Sequence, residues 1–305
     1  MANEILIVGS VALDSVKTPF GEVKEALGGS ATYSSYSASF FTPVRLVGVV
    51  GEDFPKEHIG LLKSRGIEME GLQVVKGKTF RWAGAYEYDL NEAHTLATEL
   101  NVFETFKPQI PASYKKSDFV FLANIDPDLQ LSVLDQVEKP KLVACDTMNL
   151  WIKLKPEVLK RVIQRVDFLF INDGEARQFA NTASLVRAGR LLQSWGPKYV
   201  VIKKGEHGAL LFGNNSFFAA PAFPLEEVYD PTGAGDTFAG GFFGYIAKQG
   251  GDISDATLRR AVVYGTAMAS FTVEKFSLER LKTLSPEQLA GRVQMLKELS
   301  HFDPS

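Results

Sequence analysis

The sequence contains one cysteine, Cys145, among 305 residues. A single thiol excludes an intramolecular disulfide, and its place inside an apolar run indicates a small buried side chain. Lysine and arginine are spread along the chain without a basic block, which argues against binding to nucleic acid or to an anionic membrane. No apolar stretch approaches the ~20 residues that span a bilayer. These absences predict a soluble, cytoplasmic protein with neither nucleic-acid nor membrane partners.

The composition is that of a globular protein. Hydrophobic residues make up 45% of the chain, charged residues make up 23%, and the net charge is −3. The N-terminus carries an acid before the short apolar run Ile5–Val8, which predicts a first strand and not a signal peptide. No linker or repeat divides the chain. We therefore expect residues 1–305 to form a single domain.

Short apolar runs rich in valine, isoleucine and phenylalanine recur along the chain, separated by stretches with helical periodicity. The brevity of the runs favours strands buried on both faces. The predicted strands are Ile5–Val8, Val44–Val50, Phe119–Leu122, Leu142–Ala144, Phe168–Ile171, Tyr199–Ile202 and Ala209–Phe212. The predicted helices include Phe54–Arg65, Asp128–Glu138, Pro156–Val166, Asp236–Lys248, Ser254–Val273 and Ser285–His301. This alternation predicts an α/β fold with a mostly parallel central sheet covered by helices on both sides.

Two segments, about 14–24 and 79–103, interrupt the alternation. The second places Phe80, Trp82 and Tyr86 at alternating positions, which is typical of a strand. Our hypothesis is a small β lid over the active site, and the alternative is an ordinary surface hairpin. An exposed strand edge in such a lid would allow a homodimer.

The most informative segment is Asp230-Pro-Thr-Gly-Ala-Gly-Asp-Thr-Phe-Ala-Gly-Gly-Phe242. Glycines before a helix let backbone N–H groups point into one concavity at the positive end of the helix dipole. Such a concavity stabilises negative charge on a transferring phosphoryl group, and an aspartate there can accept a hydroxyl proton. The alternative is that Asp236 simply caps a helix. The segment lacks the Gly-Lys-Ser/Thr of a Walker loop.

This segment resembles the C-terminal signature of the ribokinase-like (PfkB) family of carbohydrate and nucleoside kinases. The resemblance implies a ribokinase-like three-layer sandwich with a small β lid, and ATP and Mg²⁺ as cofactors. It also implies that Asp236 is the catalytic base and that the backbone amides of Gly233, Ala234 and Gly235 form the anion hole. Asp230 and Thr232 match positions that bind a monovalent cation in some members, so potassium activation is a further expectation.

Motifs earlier in the chain follow the order of the same family. Gly9-Ser-Val-Ala-Leu-Asp14 resembles its opening, in which the aspartate binds substrate hydroxyls, and a carboxylate suits two neighbouring hydroxyls. Gly28 and Gly29 resemble its double-glycine substrate loop. A surface turn residue is the alternative for Asp14.

Residues expected to meet the nucleotide lie in the second half of the chain. Asn172-Asp-Gly-Glu175 resembles the family's Asn-x-x-Glu motif, whose i, i+3 spacing puts amide and carboxylate on one helix face. Glu175 is expected to hold Mg²⁺ through water. The turn around Lys204 and Gly205 resembles the segment that borders the nucleotide, although Lys204 could equally be a solvated side chain. Asp146, at another strand end, either faces the phosphates or substrate or has no such role.

The acceptor substrate is left open. Sugar kinases of this family commonly carry asparagine where this chain has Tyr33. An aromatic ring there could favour a nucleoside or a substituted ring, or it could belong to the core, and the lid aromatics suit either a base or an apolar sugar face. A plain sugar, phosphorylated at a hydroxymethyl group, is the first expectation because most members phosphorylate sugars or sugar phosphates. A nucleoside is the alternative.

Two other functional classes compete with a kinase. A non-catalytic protein that binds a nucleotide or sugar could keep the fold, but it has no need of a base such as Asp236. A dinucleotide-dependent oxidoreductase would require Gly-x-Gly-x-x-Gly after the first strand, and Gly9-Ser-Val does not supply it.

Overall fold

Strands and helices alternate in the computed structural model, which describes residues 3–90, 93–213, 216–301 and residue 303. The strands are β1 (Ile5–Val8), β2 (Ala12–Thr18), β3 (Gly21–Gly28), β4 (Val44–Gly51), β5 (Ile67–Val75), β6 (Arg81–Ala85), β7 (His94–Glu99), β8 (Phe119–Leu122), β9 (Leu142–Asp146), β10 (Phe168–Asn172), β11 (Tyr199–Lys203), β12 (Ala209–Gly213) and β13 (Ser216–Ala220). The helices are α1 (Ser30–Ala38), α2 (Lys56–Ser64), α3 (Pro127–Gln136), α4 (Asn149–Leu154), α5 (Pro156–Ile163), α6 (Asp173–Phe179), α7 (Leu185–Ser194), α8 (Ala234–Lys248), α9 (Asp255–Thr272) and α10 (Pro286–Leu299).

Nine strands form the large sheet, in the order β13-β12-β11-β10-β9-β8-β1-β4-β5. Among the described residues, pairing in this sheet is parallel from β11 to β5 and antiparallel between β11 and β12 and between β12 and β13. The prediction of a mostly parallel central sheet is confirmed, and all seven predicted strands form. Because the strands from β11 to β5 are parallel, their carboxyl ends meet at one edge of the sheet.

Helices cover both faces of this sheet, as the alternation of its side chains requires. Ile5 and Ile7 belong to one hydrophobic core, whereas Leu6 and Val8 belong to the other. Helices α1, α8 and α9 contribute to the first core, and α3, α5 and α7 contribute to the second. The result is the predicted three-layer sandwich.

A second, four-stranded sheet has the order β3-β2-β6-β7. The pair β2–β6 is parallel, and the other two pairs are antiparallel. This small sheet is the β lid that the family resemblance implied. Residues 91 and 92, within the predicted lid range 79–103, lie outside the described residues, as do residues 1, 2, 304 and 305. The lid boundaries and the assignment of residues 1–305 to one domain stay predictions.

The outer strand of the lid, β7, is exposed along its whole length, including Leu96, which is 66% exposed. The homodimer through the lid stays a prediction. In the described part of the chain, no helix combines the length and the apolar character needed to cross a bilayer.

Helix α1 lies against α8 at unusually close range because glycines face it. A Cβ atom on Gly240 would lie 2.2 Å from the backbone oxygen of Ser34, and one on Gly244 would lie 2.9 Å from the Cα of Ala38. Hydroxyl groups of α1 then reach the backbone of α8: Ser37 Oγ donates to the carbonyl of Thr237 at 2.7 Å. The two helices are therefore fixed to each other by backbone contact.

A glycine in this contact and a glycine outside it should respond in opposite ways to substitution by alanine. Gly240→Ala should lower the free energy of unfolding by about 1–3 kcal/mol, because the added methyl group meets backbone. Gly60→Ala is the matched control: Gly60 is in α2, nothing lies within 4 Å of its added Cβ, and alanine should stabilise that helix by about 0.5–1 kcal/mol. Urea unfolding measures both changes. Equal effects of the two substitutions would contradict the packing argument.

Candidate active site

Polar and charged residues gather at the carboxyl edge of the large sheet. Asp146, Asn172 and Lys203 are the last residues of β9, β10 and β11, three neighbouring parallel strands. The start of α8 comes to the same place, since an added Cβ on Gly235 would lie 3.2 Å from the Lys203 Nζ. This edge therefore brings together residues from distant parts of the sequence.

The glycine-rich turn produces a helix start with free backbone amides. Gly233 has φ +74°, in the left-handed region that favours glycine, and α8 begins at Ala234, two residues before the predicted start. The amide of Ala234 donates to the Pro231 carbonyl at 3.1 Å. Among the described residues, the amides of Gly233 and Gly235 have no such acceptor. These two amides at the positive end of the helix can bind an anion.

Asp236 lies in the first turn of α8 and is half-buried. Burial raises the pKa of its carboxyl to about 7; the charge of Asp146 adds to the rise, and Lys203 opposes it. The Asp236 carbonyl accepts a hydrogen bond from Ser34 Oγ at 3.2 Å, which ties the first turn of α8 to α1. A carboxyl with a pKa near neutrality is well suited to accept a proton during turnover.

Lys203 is a site residue that the sequence pattern missed. Its Nζ lies 2.5 Å from Asp146 Oδ2, and both side chains are largely buried. Lys203 continues the face of β11 that carries Tyr199 and Val201, which pack in the same core as α8. Because side chains alternate along a strand, Lys203 must point to the same side as Val201. That alternation was the signal in the sequence that could have identified it.

The predicted nucleotide residues Lys204 and Gly205 lie just beyond β11. The Lys204 amide donates to the Gly208 carbonyl at 2.8 Å, and Gly205 opens an exposed turn between β11 and β12. The predicted turn is therefore present, and it joins the antiparallel strands β11 and β12. The structure brings Lys203, and not Lys204, to the cluster with Asp146 and α8, and the nucleotide role of Lys204 and Gly205 stays a prediction.

Asn172 and Glu175 form a capping box at the start of α6. Asn172 Oδ1 accepts from the Glu175 amide at 2.8 Å, and Glu175 Oε2 accepts from the Asn172 amide at 2.9 Å. Burial raises the pKa of Glu175 to about 7, an effect that Lys203 opposes. The pair is thus a helix cap that also places a buried carboxyl beside Lys203.

Asp14 lies in β2 against the double-glycine loop. Its Oδ2 accepts from the Gly29 amide at 3.3 Å, and an added Cβ on Gly28 would lie 1.9 Å from the same oxygen. Burial raises the pKa of Asp14 to about 7, the Gly29 amide opposes the rise, and the charges of Asp230 and Asp236 add to it. The carboxylates predicted to bind substrate and to act as base therefore lie close enough for their charges to interact.

Tyr33 packs beneath the helix start. An added Cβ on Gly233 would lie 2.4 Å from Cδ2 of its ring, and the side chain is almost wholly buried. Burial, together with the charge of Asp14, raises the pKa of its hydroxyl well above the ordinary value. The ring supports the turn that positions the free amides.

Asp230 and Thr232 connect the glycine turn to the lid. Asp230 is 1% exposed; its Oδ1 accepts from the Thr232 amide at 2.9 Å, and its Oδ2 accepts from the Ser277 amide at 3.4 Å. Burial raises its pKa. Thr232 Oγ1 donates to the hydroxyl of Tyr86, just after lid strand β6, at 3.3 Å. The lid is thereby joined to the start of α8.

Trp82 lies beside Asp14 in the small sheet. The parallel pairing of β2 and β6 puts the two residues in register, and such neighbours project from the same face. The indole covers Gly84, where an added Cβ would lie 2.2 Å from the ring, and its Nε1 donates to Thr95 Oγ1 at 3.3 Å. Trp82 therefore lies on the lid strand next to Asp14, on the same face of the small sheet.

Comparison with known proteins gives the family. The profile of the pfkB family carbohydrate kinases matches residues 4–283. A cytidine kinase of Thermococcus kodakarensis is 34% identical over 247 residues, which are 78% of this chain and 87% of that protein. A nucleoside kinase of Methanothermobacter thermautotrophicus is 27% identical over 288 residues, 89% of this chain and 90% of that protein.

Solved structures agree on the fold. The nucleoside kinase of Methanocaldococcus jannaschii superposes with a TM-score of 0.75 at 22% identity and covers 96% of this chain and 98% of its own. These findings confirm the ribokinase-like fold and the prediction of an enzyme. The chain belongs to the pfkB family of carbohydrate kinases, and it is an ATP-dependent kinase of a sugar or nucleoside.

Proposed function

We propose that the acceptor is a nucleoside, phosphorylated at the hydroxymethyl group of its ribose. The observation that carries this proposal is the position of Trp82 beside Asp14 on one face of the lid. Asp14 would accept hydrogen bonds from the ribose hydroxyls, and the indole would offer its face to the base. A plain sugar lacks the planar aromatic base that stacks on an indole.

Two further observations support a nucleoside over a plain sugar. Tyr33, at the position where sugar kinases of the family commonly carry asparagine, packs beneath Gly233 and so supplies no amide for sugar hydroxyls. The relative at 34% identity is a cytidine kinase. Nucleobases stack on aromatic side chains with about 1–3 kcal/mol per base, which is enough to decide between acceptors.

The proposed reaction uses the start of α8 and the lid. The acceptor oxygen attacks the γ-phosphorus of ATP, its proton passes to the Asp236 carboxylate, and the bond to the β-phosphate oxygen breaks to release ADP. The free amides of Gly233 and Gly235 would stabilise the charge on the transferring group. Closure of the lid would keep water from the γ-phosphate.

We propose that Glu175 holds Mg²⁺ through water. This carboxyl is buried with a pKa of about 7, so a nearby divalent cation would stabilise its ionised form. Mg²⁺ usually retains several waters and binds substrate phosphates, which agrees with Glu175 acting through water. When bound, the ion would neutralise phosphate charge.

Replacement of Trp82 tests the choice of acceptor. In an ADP-release assay across nucleosides, sugars and sugar phosphates, we expect the highest kcat/KM with a nucleoside. Trp82→Ala should lower kcat/KM for that nucleoside by about 5- to 150-fold, the equivalent of 1–3 kcal/mol of stacking, and change turnover of ribose little.

Tyr88→Ala is the matched control, because Tyr88 belongs to the lid segment but is 84% exposed. Its kinetics should equal those of the unaltered enzyme. Equal losses for nucleoside and ribose in Trp82→Ala, or a sugar as the best acceptor, would reject the nucleoside proposal.

Asp236→Asn tests the assignment of the base. The amide keeps the size of the side chain and cannot accept the proton, so kcat should fall by about 10²- to 10⁴-fold. Binding of ATP, measured by calorimetry, should change little, because the amides of Gly233 and Gly235 remain. Retention of turnover in this variant would assign the base to another residue.

A monovalent cation fits beside Asp230. This carboxylate is buried, and no cationic side chain of the described residues pairs with it. A bound cation would offset its charge near Asp14 and Asp236. We expect faster turnover in potassium chloride than in choline chloride of equal ionic strength, and loss of that difference in Asp230→Asn. Equal rates in both salts would argue against a cation site.

A further inference from the structure

Three buried or half-buried carboxyls share one ammonium group at the carboxyl edge of the sheet. Asp146, Glu175 and Asp236 each lie close enough to Lys203 for its charge to affect them, and they raise the pKa of the ammonium despite its burial. Within the described residues, Lys203 is the one cation that acts on Asp236. Binding of phosphate by the backbone amides of Gly233 and Gly235 would not by itself require a lysine among these carboxyls.

The position of Lys203 is fixed by backbone and by one partner. The pleat of β11 aims the side chain toward α8, and it is 16% exposed. Its Nζ binds Asp146 Oδ2 at 2.5 Å while the aliphatic chain passes beneath Gly235, the residue before Asp236. A side chain at position 235 would press against the ammonium, since its Cβ would lie 3.2 Å from Nζ.

The titratable groups around Asp236 come from several elements. Asp146 of β9 and Lys203 of β11 act on it directly, and its own charge acts on Asp14 of β2, Tyr33 of α1 and Tyr86 of the lid. Asp230 of the glycine turn and Glu175 of α6 act on these neighbours in turn. All except Lys203 are neutral or negative near neutral pH. In the free enzyme, Lys203 is thus the one group of this set that favours the ionised form of Asp236.

We propose that Lys203 is a positioning residue that keeps the Asp236 carboxylate ionised and ready to accept a proton, and that the negative charge of Asp146 partly cancels this effect. The inference rests on the proposed role of Asp236 as base. An opposite charge nearby stabilises an ionised carboxylate, and a like charge destabilises it. Removal of Lys203 and removal of Asp146 should therefore act on Asp236 in opposite directions.

The pH dependence of kcat/KM separates this role from a structural one. In the unaltered enzyme, kcat/KM should fall as the pH drops through about 7, because Asp236 becomes protonated. Lys203→Met should move this acid limb to higher pH by roughly one to three units, and Asp146→Asn should move it to lower pH. In the unaltered enzyme the Thr147 amide donates a hydrogen bond to Asp146 Oδ1 at 2.9 Å. Asparagine at position 146 retains an oxygen that can accept this hydrogen bond.

Two further variants complete the design. Lys203→Met combined with Asp146→Asn leaves no uncompensated buried charge, so it should fold even if Lys203→Met does not, and its acid limb should lie near that of the unaltered enzyme. Lys203→Arg should keep the acid limb near pH 7. The control is Lys198→Met, at the other end of β11, where Lys198 forms an exposed pair with Asp167; its profile should not move.

A measurement without turnover keeps this inference distinct from the proposed function. Titration of ¹³C-labelled aspartate by NMR, with Asp236→Asn to assign the signal, reports the Asp236 pKa in the free protein. The same opposite displacements in Lys203→Met and Asp146→Asn support the role of Lys203 even if Asp236 proves not to be the base. Unchanged or parallel displacements would overturn it.

Discussion

The contact between α1 and α8 is the constraint on which the site depends. Gly240 lets the backbones touch, and hydroxyls of Ser34 and Ser37 bind carbonyls in the first turn of α8. Because α1 begins directly after the double-glycine loop that contacts Asp14, one rigid unit carries Asp14 and the start of α8. The distance between Asp14 and Asp236 is therefore set by helix packing and not by loop conformation.

Charge is the second constraint, and it follows from the first. Burial raises the pKa of Asp14, Asp230 and Asp236, and the charges of Asp230 and Asp236 raise that of Asp14 further. In the free protein, carboxyls therefore outnumber cationic groups around the site. Bound substrates or cations would reduce the repulsion between these carboxyls. Lys203 supplies one fixed positive charge, and the free amides of Gly233 and Gly235 supply partial ones.

Much of this fold was predictable because local patterns determine it. Short apolar runs gave the buried strands, whereas β5 was missed: its alternating Glu68 and Glu70 break the run at a sheet edge. The family motifs predicted the residues around Asp236. The Asp146–Lys203 pair could not be predicted, because it joins β9 to β11 across β10, a contact that no local spacing contains.

We propose that Asp236 takes the proton of a nucleoside hydroxyl in front of the start of α8. A crystal structure with a nucleoside and a non-hydrolysable ATP analogue measures this directly. The acceptor hydroxyl should lie within about 2.6–3.2 Å of the Asp236 carboxylate, with the γ-phosphate facing the amides of Gly233 and Gly235. A hydroxyl bound to Asp146 or Glu175 instead, with Asp236 remote from it, would contradict this role.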